Sequence, residues 1–511
     1  MPSDDQIAGG FPGLPDRDAW GGLRAAVQRQ VTELAQLRHE PAVRHLLLRQ
    51  LQDRRQPPER FQPPPGLERY AQVAAGEAAY GGGDEPVTQF GYLPVKEGFD
   101  TLLASNELLI TGRSYDGRHP AGERSSRGET AKRYLEALGF EEAEPGCRQL
   151  ENRVVRLAHP GGASAEELAE VARNLRTRGF SAAVTYITPT APVGKGTPCA
   201  PLQGTPPRGS GGTGGGGAEA PEVRLRSTGT EPAGQAAAAD TTQVAVIDTG
   251  IWSERLGTVL PGSQLDHLHE FPLGAPRSVR DEYLDLDAGH GTFVTGIVQQ
   301  VAPSAGVRVY RAVDGDGIGT ELAVACAMIK AVEEGAQILN LSLGCQSEDD
   351  FPPVALRAAL DVIRNWERDT GREVLVVAAA GNCGDTRPFW PAAFRDVVSV
   401  AGLGPDLLPS QWSSHGFWVT CSAIGQGILS NFVAGRESPL ETPTPVEFSR
   451  DPEPWAVWSG TSFAAPQITG VLARLYQPGG PRSLRDVLRE LLESGNPVPG
   501  FGQALQILPG L

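Results

Sequence analysis

Basic residues are in short supply. Forty-five Lys and Arg stand against 61 Asp and Glu, a formal net charge of −16 over 511 residues. Nucleic acid and an anionic membrane surface both require a basic face, so neither is expected as a partner. Long apolar runs are missing too. The longest clean one, Val374 to Ala380, falls far short of the ~18 residues a membrane span needs. The opening MPSDDQIAGGFPGLPDRDAW has no basic start and no apolar stretch, so no signal peptide is expected. The six cysteines (147, 199, 326, 345, 383 and 421) include no CxxC pair. The expectation is reduced thiols in a cytoplasmic chain. No internal repeat is visible.

Glycine and proline are plentiful, at 63 and 43 residues, and hydrophobic residues make up 40%. The length predicts about two to four domains, each able to bury a core. Four zones follow. Residues 1–85 form a helical and Pro/Gly-rich segment. Leu23, Val27, Val31, Leu34 and then Val43, Leu47 and Leu51 recur at helical spacing, with Pro41 dividing two helices and Gln56 to Pro65 extended. Such a hairpin either packs on something or docks a partner. Residues 86–189 read as strand (Asn106 to Thr111), helix (Glu129 to Leu138), strand (Arg153 to Leu157), helix (Ser164 to Arg178) and strand (Ala182 to Ile187), an order that predicts a small ferredoxin-like α+β domain. Residues 190–240 contain GSGGTGGGG and AAAA, the composition of a flexible linker. That Gly run follows no strand and precedes no Lys-Ser/Thr, so it is not a phosphate loop.

Residues 241–511 alternate strands and helices. Strands are predicted at Val244 to Ile247, Val307 to Ala312, Ile338 to Leu343, Val374 to Ala380 and Val397 to Ala401. They are near-continuous apolar runs, as expected of a parallel α/β sheet covered on both faces. Chemistry in such sheets sits past the carboxyl ends of the strands. VAVIDTG puts Asp248 there, and VVAAAGN does the same for Asn382. GHGTFVTG places His290 at one helix start and GTSFAAP places Ser462 at another. A serine hydroxyl is a poor nucleophile without a base, an imidazole can take its proton and return it to a leaving amine, and a carboxylate can fix the imidazole tautomer. An amide side chain can supply an oxyanion donor. Each short motif alone is weak. The four together, in this order and at these places, are not a coincidence of turns and caps.

DTG at 248–250, HGT at 290–292, NLSLG at 340–344, AAAGN at 378–382 and GTSFAAP at 460–466 resemble the catalytic domain of the subtilisin-like serine proteases. The order Asp, His, Ser also separates the chain from α/β-hydrolases. The resemblance implies a three-layer parallel sheet and a serine endopeptidase acting on polypeptides. Asp248 would orient, His290 act as base and acid, Ser462 attack, and Asn382 hold the oxyanion with the Ser462 N–H. Ser342, Leu343 and Gly344 would line one side of the primary specificity pocket, and Ala379, Ala380 and Gly381 the other. Gly317, Ile318 and Gly319 would complete an antiparallel sandwich around bound peptide. Gly500 to Leu508 resembles the family's closing turn and helix.

No cofactor is implied. The loop where many members hold calcium is short here, so no calcium is expected at that position. Asp266, His267, His269 and Glu270 match no metal-ligand spacing and read as a polar loop. Phe293 stands where His is frequent, and Phe463 where Met is frequent. Cys345 and Cys383 fall at the pocket rim, as small buried side chains or as a redox gate. Many members carry a ferredoxin-like propeptide that plugs the cleft with its tail, so residues 86–189 are expected to inhibit the enzyme intramolecularly. The alternatives are a permanent binding or sensor module on a regulated or dedicated maturation protease, and an inactive peptide-binding relative.

Overall fold

In a computed structural model, residues 89–94, 100–118, 128–144, 146–190, 241–253, 255, 259–266, 284–436, 447–448 and 454–508 are described, with the helical residues Ala25, Val27–Arg29, Val31, Thr32 and Gln52. The expectations for Pro41, for Gln56 to Pro65, for residues 191–240 and for His267, His269 and Glu270 lie outside the described residues. Within the N-terminal helical zone, Val27 is buried against Val457 and Leu429, and the Gln52 amide donates to the Phe90 carbonyl at 2.8 Å.

The N-terminal half is built on an antiparallel sheet of β1 (Phe90–Leu93), β2 (Thr101–Thr111), β3 (Glu141–Ala143), β4 (Val154–Ala158) and β5 (Ala182–Tyr186). Its order is β1-β2-β4-β3, with β5 also paired to β2. Two helices cross it, α1 (Gly128–Ala137) and α2 (Ala165–Thr177). α2 starts at a capping box in which the Ser164 hydroxyl and the Glu167 carboxylate satisfy each other's backbone amides. Leu168, Ala169, Ala172 and Leu175 form its buried stripe.

The C-terminal half carries an eight-stranded sheet. In chain order its first strands are β6 (Gln243–Asp248), β7 (Gly306–Arg311), β8 (Ile338–Leu341), β9 (Leu375–Ala379), β10 (Val397–Leu403) and β11 (Cys421–Ile424). Outside the sheet, β12 (Ile428–Asn431) pairs with β15 (Trp455–Trp458), and β13 (Gly435–Arg436) with β14 (Glu447–Phe448). The chain closes with β16 (Asn496–Val498) and β17 (Gly502–Leu505). Sheet order is β16-β17-β11-β10-β9-β8-β6-β7, parallel except for the β16 edge. The closing segment expected as a turn and helix is therefore a strand. The open edge of β11 offers a ladder that Gln503, Ala504 and Leu505 complete.

Helices α3 (His290–Val301), α4 (Glu321–Glu333), α5 (Val354–Thr370), α6 (Thr461–Leu475) and α7 (Leu484–Glu493) cover both faces of this sheet. One core packs α3, α6 and α7 against it. The other packs α4 and α5, and continues without a break into Leu108, Ile110, Leu168, Val184 and Tyr186 of the N-terminal sheet. The two halves thus share a hydrophobic core. They also share a covalent bond, because Cys147 and Cys326 form a disulfide. The expectation of reduced thiols throughout is corrected at this pair. The signal was invisible in sequence because the partners lie 179 residues apart. Cys345 and Cys421 are buried thiols.

Candidate active site

Asp248 ends β6 and His290 opens α3, which places both past the carboxyl edge of the sheet. Asp248 Oδ1 accepts from His290 Nδ1 at 2.8 Å and from the Thr249 N–H at 2.7 Å. Both side chains are buried, and His290 Nε2 has no partner among the described residues. The approach is close because the residue after the histidine is Gly291, where any Cβ would collide with the Gly250 backbone. His290 rests against Phe463 and Trp458, with ring centroids 5.4 and 5.5 Å away. Phe293 completes this aromatic wall, 4.7 Å from Phe463. Of the two residues that depart from the family pattern, Phe463 packs on the imidazole and Phe293 packs behind it on Phe463 and Trp458.

A second carboxylate supports this corner. Asp266 Oδ2 accepts from the Gly289 N–H at 3.0 Å and from the Thr249 hydroxyl at 3.3 Å, and that hydroxyl accepts from the Gly291 N–H. Burial pushes the Asp266 pKa up to about 6. Asp266 acts here as a brace for the His290 turn and not as part of a polar loop.

Ser462 lies in the first turn of α6. Its hydroxyl has two acceptors within reach, the Ser342 carbonyl at 3.0 Å and the Thr190 carbonyl at 3.1 Å. The Ser342 hydroxyl in turn donates to the Ser462 carbonyl at 2.7 Å and accepts from the Asn340 amide. Asn382 is fixed through its oxygen. Asn382 Oδ1 accepts from the Thr461 N–H and the Thr461 hydroxyl, both at 2.9 Å. The same hydroxyl accepts from the Gly381 N–H. That arrangement aims Nδ2 outward and leaves it free to donate.

Thr190 was expected at the start of the linker. It lies instead in the cleft, as the end of an extended strand from Ile187. The Thr188 N–H donates to the Gly319 carbonyl at 2.8 Å and the Thr190 N–H to the Gly317 carbonyl at 3.2 Å. On the other side the Gly344 N–H donates to the Pro189 carbonyl at 3.0 Å. The Thr190 hydroxyl donates to Asp287 at 2.6 Å. Ile318 packs with Phe90, Leu102, Ala104 and Ile187 of the N-terminal half. The cleft thus holds a segment of the chain itself, antiparallel to 317–320 on one side and bonded to Gly344 on the other.

The side chains of Leu343, Ala379 and Ala380 point into cores, so these three positions can offer substrate only backbone. Between the two walls stands Phe389. A Cβ at Gly344 would overlap its ring, and one at Gly381 would come within 2.6 Å of it. Cys383 is buried against the same ring.

A subtilase family model matches residues 239–494, half of the chain. The chain belongs to the subtilase family. This subtilase is 29% identical over 274 residues to the thermophilic serine proteinase of Bacillus sp. strain AK1, an alignment covering 51% of this chain and 58% of that one. It is 28% identical over 279 residues to thermitase of Thermoactinomyces vulgaris, covering 51% and 83%. It therefore spans little more than half the length of the first of these relatives. Among solved structures it is similar to fervidolysin from Fervidobacterium pennivorans, a keratinolytic enzyme related to subtilisin. That match has 18% identity and a TM-score of 0.49, and it covers 81% of this chain and 61% of that one.

Sequence reasoning missed Thr190, Asp287, Phe389 and Thr461, and read Asp266 as part of a polar loop. Only Thr461 carried a signal, as the residue before the serine inside the GTS motif.

Proposed function

We propose that this subtilase is a serine endopeptidase whose N-terminal half, through residue 190, inhibits it and is the first substrate. The observation that carries the reading is the Thr188 to Thr190 strand, seated between Gly317 to Gly319 and Gly344 with its last carbonyl on Ser462. In the reaction His290 Nε2 takes the Ser462 proton as Oγ attacks a substrate carbonyl carbon. The oxyanion forms against Asn382 Nδ2 and the Ser462 N–H. His290 then gives the proton to the leaving amine. Water, deprotonated by the same nitrogen, releases the acyl group. Asp248 holds the tautomer that leaves Nε2 as the base.

While the tail sits as described, the serine proton is directed to backbone carbonyls and not to His290. The inhibited state is thus one in which the nucleophile is occupied, and it is left when the strand leaves the cleft. A ring filling the pocket between Gly344 and Gly381 restricts the reacting residue to a small side chain. Ala191, next after Thr190 in the sequence, meets that limit. The disulfide supports a compartment where such bonds persist, in place of the cytoplasm expected from reduced thiols.

Intact mass and N-terminal sequencing of the purified chain over a day, beside Ser462→Ala, test the reading. The wild type should acquire a new N-terminus at residue 191 or 192 while Ser462→Ala stays whole. Two whole chains would show that the tail is not a substrate, and a new N-terminus deep in the Gly-rich stretch would show that its register is wrong.

A further inference from the structure

Cys147 belongs to the N-terminal half, in the turn before Leu150. Cys326 lies on α4 of the catalytic half, and the two are bonded to each other. The halves meet closely at this point. A Cβ on Gly146 would lie 2.7 Å from Leu322 and 3.2 Å from the Cys326 sulfur. Both cysteines are only half-buried, so the bond can be reached from solvent. Polar contacts also cross between the halves. Gln149 donates to Glu333 at 2.7 Å, and Arg176 pairs with Asp349 at 2.9 Å.

We infer that the Cys147–Cys326 disulfide keeps the N-terminal half clamped on the catalytic half after the backbone is cut beside Thr190, so that the cleft opens only when a thiol reductant breaks the bond. The inference rests on the reading of the tail as inhibitor and first substrate. Cutting one peptide bond removes one of two covalent links between the halves. The second link keeps the tail at an effective concentration of order millimolar over the cleft, far above what a separate inhibitor reaches on dilution. Cutting alone therefore does not activate. An added dithiol does. Its thiolate attacks one sulfur of the bridge, forming a mixed disulfide and releasing the other cysteine as a thiolate. The second thiol of the reagent then displaces the protein sulfur. Two electrons pass from the dithiol to the bridge, which leaves two cysteine thiols and a cyclic disulfide. The N-terminal half is then held by non-covalent contacts alone and can leave.

The bond itself is tested first, in Ser462→Ala, where nothing is cut. Proteolytic mapping without reductant should recover the Cys147 and Cys326 peptides joined. Recovering them as separate thiols overturns the clamp, whatever the enzyme does. In wild type that has cut itself, denaturing analysis without reductant should give one species of full mass plus one water, which dithiothreitol splits into two. Two pieces without reductant overturn the clamp.

Activity on a short peptide should rise about 10²-fold when dithiothreitol is added to wild type. Cys147→Ser and Cys326→Ser should be active without it and indifferent to it. A wild type that does not respond, or a Cys147→Ser that responds equally, overturns the clamp. If instead the peptides are joined and dithiothreitol activates an uncut chain, the clamp stands and the self-cleavage reading is what fails.

Discussion

At the scale of single residues, the catalytic corner is held by hydrogen bonds to atoms that do no chemistry. Thr461 is the clearest case. Its hydroxyl and N–H both hold Asn382 Oδ1, which leaves Nδ2 for the proposed oxyanion. Removing the Asn382 amide should cost about 2.7–4 kcal/mol of transition-state stabilisation, a magnitude measured in subtilisin itself. Thr461→Val keeps the shape and the N–H but loses the hydroxyl. It should lower kcat by about tenfold with KM unchanged, because the ground state does not use the oxyanion donor. Steady-state kinetics on one peptide with both variants checks this. A Thr461→Val enzyme with wild-type kcat would show that the backbone N–H alone orients the amide. Asp248, His290, Asn382 and Ser462 were legible in sequence because each sits where a strand ends or a helix begins, and local pattern marks such places. Thr190 was not. Its partners Asp287 and Ser462 lie 97 and 272 residues away, and no local pattern reports a contact at that distance.

At the scale of elements, legibility followed burial. The five strands read from apolar runs, β6 to β10, are the middle of the sheet and its β7 edge, where every face is covered. β11 and β17, with Ser422, Gly502 and Gln503, carry too little apolar pattern to be read, and β12 and β15 are an antiparallel pair beside the sheet. In the N-terminal half, β2 extends back to Thr101, and only the part from Asn106 to Thr111 was read. The proposed specificity pocket was half legible. Its walls came from motifs, but its filling comes from Phe389, which reaches it through the loop after β9. Phe389→Ala should empty the space between Gly344 and Gly381. The gain in kcat/KM for a bulky over a small residue at the reacting position should be about 10–200-fold, the range a pocket of altered volume supplies. Paired peptide substrates that differ at that one position measure it. An unchanged ratio would place the pocket elsewhere.

At the scale of the whole molecule, the two halves are joined by a titratable group as well as by a core and a disulfide. Glu321 begins α4 and is fully buried beneath the N-terminal sheet. One of its oxygens accepts from the Tyr186 N–H of β5 at 3.1 Å, and the other from the Ala355 N–H of α5 at 2.8 Å. Burial outweighs these donors and raises the carboxyl from 4.5 to about 8. Between those values the folded chain binds a proton that the unfolded chain has lost. Stability is therefore greatest below the unfolded value, falls as pH rises toward about 8, and levels off above it, with a slope of at most about 1.4 kcal/mol per pH unit. Asp266 acts with the same sign, but over a lower range that ends near 6. The melting temperature of Ser462→Ala should accordingly fall from pH 6.5 to 8.5, a window above the range of Asp266. Adding Glu321→Gln should abolish that fall. It should also lower the melting temperature at pH 6.5, because the amide nitrogen would face a backbone N–H and leave one buried donor unsatisfied, at a cost of about 1–3 kcal/mol. Equal slopes in the two proteins would mean that Glu321 stays ionised in the joint between the halves, its backbone donors outweighing burial. The N-terminal half would then be held equally well on either side of neutrality.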